Sequence, residues 1–173
     1  KAQPSHSEQI PNPYSPYKAP QMRSFLLLLH LSGVIIWVGG MFFAHFCLRP
    51  VAVAQLQPPL RLPLLAAVLG RFFKVVAASV IIILLSGFAT LAATGFAQAP
   101  LHWHVMAGLG LLMSAIFGVI YFLYFPRLSA GVAMQDWPLA GAAMNRIRVL
   151  VMSNLFLGAL TIVVATLGSH LVR

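Results

Sequence analysis

Residues 25–48 read FLLLLHLSGVIIWVGGMFFAHFCL, from Phe25 to Leu48. The stretch contains no Asp, Glu, Lys or Arg and is closed by Arg49 and Pro50. A helix rising about 1.5 Å per residue needs about 20 apolar residues to cross a hydrocarbon core of about 30 Å. The stretch meets that length, so it reads as a membrane-spanning helix. Three further apolar runs follow, Val75 to Phe96, Leu101 to Phe125 (closed by Pro126 and Arg127) and Val149 to Val172. The sequence therefore predicts an all-α protein, a transmembrane four-helix bundle. Its helices fall at about 25–48, 75–96, 101–125 and 149–172, within one domain over 25–172.

Composition agrees. The chain is 60% hydrophobic and 8% charged, where a soluble domain carries about 25% charged residues. Residues 1–24 differ, with Pro4, Pro11, Pro13, Pro16 and Pro20 and few aliphatics. They predict an extended, Pro-rich tail, with Tyr14 and Tyr17 placed for the head-group layer. The lone cysteine, Cys47, excludes an intrachain disulfide and a cysteine zinc site.

The formal net charge is +9. The basic residues flank apolar runs instead of forming an aromatic-interleaved patch, which argues for lipid contacts and against nucleic acid. Arg49, Arg61, Arg71 and Lys74 lie between the first two helices, and Arg127, Arg146 and Arg148 between the last two. None lies between the second and third. Positive charge stays on the cytoplasmic side. The expected setting is a bacterial inner membrane with both termini periplasmic. Residues 50–74 read as a longer connection whose stretch LPLLAAVLGRFFK, residues 62–74, is an amphipathic lead-in to the second helix, and 127–148 as a connection holding a short interfacial helix from Asp136.

Ionisable residues inside a membrane are expensive, which makes them functional candidates. His30, His45, His102, His104 and His170 lie in or at the ends of the spans, and His6 lies in the tail. On the first helix His30 shares a stripe with Gly33, Trp37, Gly40 and Ala44. On the third, His104 shares one with Gly108, Leu111, Ala115 and Gly118. Small residues on a stripe mark helix contacts, so both histidines are expected to face the bundle interior. His102 falls on another line, with Met106 and Met113.

Two inward histidines at one depth are the geometry that clamps a haem iron. Arg23, two turns before His30, would meet a propionate. Without a CxxCH motif the haem would be b-type. The leading expectation is one haem b held by His30 and His104, carrying electrons between a quinone or membrane partner subunit and a periplasmic redox partner. The first alternative is copper, bound by His102, His104 and Met106 with His6 and Met22 outside, since imidazole and thioether ligands suit copper. The second is a non-catalytic subunit of a larger membrane complex. Ser79, Ser86, Thr90 and Thr94 on the second helix, and Asn154, Gly158, Thr161, Ala165 and Gly168 on the fourth, read first as packing seams with interhelical hydrogen bonds and, as the alternative, as the lining of a cofactor or quinone pocket. No acidic residue lies in the spans, which argues against carboxylate-coupled proton transport.

Four segments, LHLSGVIIWVGGMFFAHFCLRP, LGRFFK, WHVMAGLGLLM and DWPLAGAAMNRIRVLVMSNLFLGALTIVVA, resemble the short members of the CopD-like (copper resistance D) membrane family over roughly residues 24–172. The most specific parts are the histidine-plus-WVGG first helix and the Arg148, Asn154, Gly158 spacing. The resemblance implies copper uptake or tolerance. The four-helix core is also similar to b-type cytochromes and to the haem-binding oxidase of the haem pathway, where the first-helix histidine holds haem. That role would fall to His30.

Overall fold

The computed structural model describes the backbone of residues 18–171 and the side chains of residues 21–168. Most of the tail, with His6, Tyr14 and Tyr17, and the side chain of His170 lie outside the described residues. Four long apolar helices form the molecule: α1 (Gln21–Gln55), α2 (Pro58–Thr94), α3 (Leu101–Ala133) and α4 (Trp137–Gly168). The backbone of the first helix starts earlier, at Lys18, so residues 18–24 are helical instead of extended. Pro20 permits this because the first-turn N–H groups have no intrahelical acceptor to lose. That of the fourth runs on to Leu171.

The helices also extend past their apolar stretches at the basic end. At about 1.5 Å per residue each is about 50 Å long, against about 30 Å of hydrocarbon. Arg49-Pro50 and Pro126-Arg127 do not stop α1 and α3 as the sequence suggests. Each proline follows a π-helical turn, Ala44–Leu48 in α1 and Ile120–Tyr124 in α3. A π turn widens the helix, and the ring then clears the carbonyl it would otherwise strike. A third π turn, Ile35–Gly39, carries Trp37.

The connections are tight turns. Helix α2 ends at Gly95, whose φ of +89° is left-handed. L side chains rarely adopt that φ, so glycine is favoured there whatever the surrounding space. Between α3 and α4 the chain turns over Met134 and Gln135, with Gln135 at φ 56°. The interfacial helix expected from Asp136 is instead the first turns of α4. Asp136 caps them: its Oδ1 accepts from the Leu139 amide at 2.9 Å. Asp136→Ala is expected to lower stability by about 1 kcal/mol, the usual worth of such a cap, measured by thermal unfolding in detergent.

Helix α1 packs along α2, and α3 along α4; the two hairpins meet chiefly through α2. Gly33 and Gly40 of α1 let the side chains of Ile83 and Phe72 approach. The dense core lies toward the basic end, around Trp37, Phe73, Phe117, Ile120 and Ile147. Rings close it: Trp37 meets Phe117 edge-on at 6.2 Å, and Phe73 meets Phe117 at 5.9 Å. Large apolar side chains cover the outside, among them Ile35, Leu85, Phe122 and Phe156. In water that surface would be unsustainable; in lipid it is the solvent contact.

Candidate functional site

Above the Trp37–Phe117 contact the hairpins part. A cavity of about 380 Å³ opens there, lined by all four helices. Its polar lining is sparse: Arg23 and His30 from α1, Thr90 from α2, Trp103 from α3 and Thr161 from α4. Met106 and Met113 of α3 add two thioethers. Arg23 lies over the Trp103 ring, 5.8 Å from its centroid.

Register along the bundle follows from two contacts. Arg23 meets Trp103 and Trp37 meets Phe117, an offset of 80 residues in both pairs. Helices α1 and α3 run parallel, so Gly110 stands level with His30. Gly110 has open space where a β-carbon would go. Met106 lies about one turn above that level and Met113 about one turn below.

His30 is held from behind. Its Nδ1 is 3.1 Å from the Ile83 carbonyl oxygen and 3.1 Å from Ser86 Oγ. A carbonyl can only accept, and the Ser86 hydroxyl donates at 2.6 Å to the Ile82 carbonyl. Nδ1 must therefore carry the proton and donate. In the neutral ring that leaves the lone pair on Nε2, the tautomer a metal ligand needs. Gly87 leaves room for the ring: a β-carbon there would sit 3.3 Å from His30 Cε1. Ser86→Ala removes one of the two acceptors. If Nε2 holds a metal, this substitution would weaken its binding about tenfold, the low end for a supporting group behind a ligand, measured by titration against a competing chelator.

The structure brings only part of the sequence-derived site together. Arg23 and His30 share the cavity wall. His104 does not join them: its side chain is exposed, with Nδ1 3.3 Å from the Pro100 carbonyl. The expected inward stripe on α3 is an outward one, since His104, Gly108, Leu111 and Ala115 are all exposed. The buried face carries Met113, Phe117 and Ile120 instead. His102 packs against Gly168 of α4, with Nδ1 buried and unpartnered among the described residues. Of the expected copper set His102, His104 and Met106, only Met106 lines the cavity. His45 and Cys47 lie in the other half of α1, and Cys47 is exposed. No group of three or more His, Cys, Asp or Glu side chains converges among the described residues.

The helix-four pattern is structural. Asn154 is 1% exposed, and its Nδ2 donates to the Met113 carbonyl at 3.1 Å. Gly158 packs against Val38 and Met113. Together they fix the height of Met113 in the cavity. Sequence reasoning had placed Ser86 in a packing seam and Met113 on the wrong side of α3 for His30. The signal present was the shared line of Met106 and Met113.

Four membrane-crossing helices around a cavity lined by a backed imidazole and two thioethers define a multi-pass membrane protein. The model of the family described as copper resistance protein D matches residues 66–167, more than half of the chain. The chain belongs to that family. No curated protein and no solved structure gives a significant match.

Proposed function

We propose that the protein captures Cu(I) as cargo in the cavity between the two hairpins, with His30 Nε2 and the sulfurs of Met106 and Met113 as ligands. The observation that carries this reading is the hydrogen-bonding of His30 Nδ1 to Ile83 and Ser86, which turns the other ring nitrogen into a ready donor. Imidazole plus thioether is a soft donor set, matched to Cu(I) and poorly matched to Mg²⁺ or Ca²⁺. Membership in the copper resistance family supports it. The cavity end is the end without basic connections, so it would face the periplasm, and copper would enter from there.

A second reading has one observation in its favour. Arg23 stands at the cavity wall beside Trp103, where a propionate of a His30-ligated b-type haem would find a cation. The bis-histidine arrangement with His104 does not fit, because that side chain is exposed outside the cavity.

One sample tests both. The purified protein is titrated anaerobically with Cu(I) against a chromophoric chelator, and its reduced-minus-oxidised absorption spectrum is recorded. One tightly held Cu(I) per chain with no b-type α-band is the expected result. An α-band at one haem per chain, with no copper retained, overturns the copper reading in favour of haem.

A further inference from the structure

At the basic end, beneath the aromatic contacts, lies a second and much smaller cavity, of about 50 Å³. Its wall includes His45 and Arg49 of α1 and Arg148 of α4. Arg49 is within electrostatic reach of Arg61 at the start of α2 as well as of Arg148, and His45 is within reach of Arg49 and Arg148. All four side chains are half-buried. Helices α1 and α4 thus bring their cationic groups to one cavity wall.

Among the described residues nothing of opposite charge is there. The sequence holds two acidic residues. Glu8 lies outside the described residues, and Asp136 is committed to the cap of α4. Asp136 is also three helical turns from Arg148, about 18 Å along the axis. Among the described residues none of the three guanidiniums forms an ion pair or a hydrogen bond. Partly desolvated cations that repel one another are costly unless an anion joins them.

Position and donor chemistry say which anion. Arg49 directly follows the apolar run of α1, and Arg148 directly precedes that of α4. Both therefore sit at head-group depth. The rest of the cavity wall is apolar, so recognition of charge falls to the two guanidiniums and His45. Guanidinium forks match phosphate oxygens with paired hydrogen bonds. We infer that Arg49 and Arg148, with His45, form a binding site for a single phosphate-type anion, the phosphodiester of an anionic lipid or a free phosphate. The site is separate from the copper-binding cavity and does not depend on it.

The test uses the full chain in phosphatidylcholine nanodiscs or mild detergent. Retained lipid is counted by native mass spectrometry, and thermal unfolding is followed with added phosphatidylglycerol or inorganic phosphate. Preferential retention of phosphatidylglycerol over phosphatidylcholine, with an upward thermal shift, establishes the lipid as source. A shift with inorganic phosphate and no lipid preference establishes the free anion. Each of Arg49→Gln and Arg148→Gln is expected to weaken binding about fivefold, and the pair about 25-fold; Arg71→Gln, exposed and off the cavity, leaves it unchanged. Arg148→Lys keeps the charge without the fork and falls between. Equal retention of both lipids with no phosphate shift in the unaltered protein overturns the site, as does full binding in the double variant.

Discussion

His30→Ala is expected to weaken the proposed Cu(I) binding by on the order of 100-fold or more, since losing a ligand costs more than losing a group behind one. The two thioethers remain, yet the cavity has no other described imidazole. His104→Ala removes an exposed ring and is expected to leave the affinity unchanged. The pair of variants separates the inward and outward faces of α3 in one titration. If His104→Ala cost as much as His30→Ala, copper would be held on the outer face near the Leu101 end, and the cavity assignment would fail. Elution volume and unfolding temperature of His30→Ala show whether the bundle is intact, which keeps ligand loss distinct from misfolding.

The second large effect is on assembly. Gly131 lies at the crossing of α3 and α4, where the two backbones nearly touch. A β-carbon on it would stand 2.7 Å from the Ala140 backbone nitrogen and 3.0 Å from its Cα. Neither atom can rotate away, and Ala140 and the neighbouring Leu128 are fully buried. Gly131 also offers its carbonyl to the Asp136 amide at 2.9 Å, which closes the turn. Gly131→Leu must pry the hairpin open. The expected loss is on the order of 3 kcal/mol, the upper range for overpacking, seen as poor accumulation in membranes and a lowered unfolding temperature. Gly141→Ala is the contrast: no atom lies within 4 Å of its added carbon, so helix propensity alone acts and stability should hold or rise slightly. Equal behaviour of the two variants would mean that the crossing tolerates separation.

The spans were legible because length and apolarity suffice to define a membrane helix, and Phe25 to Leu48 carries both. Which face of a span turns inward was legible in α1 and not in α3, although the same rule was applied. On α1, Gly33 and Gly40 each stand opposite a large side chain of α2, so the small stripe is the contact stripe. On α3, Gly108 and Gly118 face open space. Lipid is as apolar as a helix neighbour, so a stripe of small residues does not say whether protein or lipid lies against it. Helix ends were misjudged for a related reason. Proline ends a helix only when the preceding turn stays α-helical, and in α1 and α3 it does not. The backing of His30 by Ser86 and Ile83 needed the third dimension, since 56 and 53 residues of chain intervene.

The three π turns divide the bundle mechanically. Ile35–Gly39 and Ala44–Leu48 sit in α1, and Ile120–Tyr124 sits in α3 at the level between them. A π turn is a looser coil than the α turns around it, so these are the compliant points of the backbone. Helix α2 and the described length of α4 contain no such turn. Each hairpin thus joins one helix that carries π turns to one whose described length has none. His30 and Met106 both lie on the helices that carry them, so bending at mid-membrane would change the spacing of these two side chains.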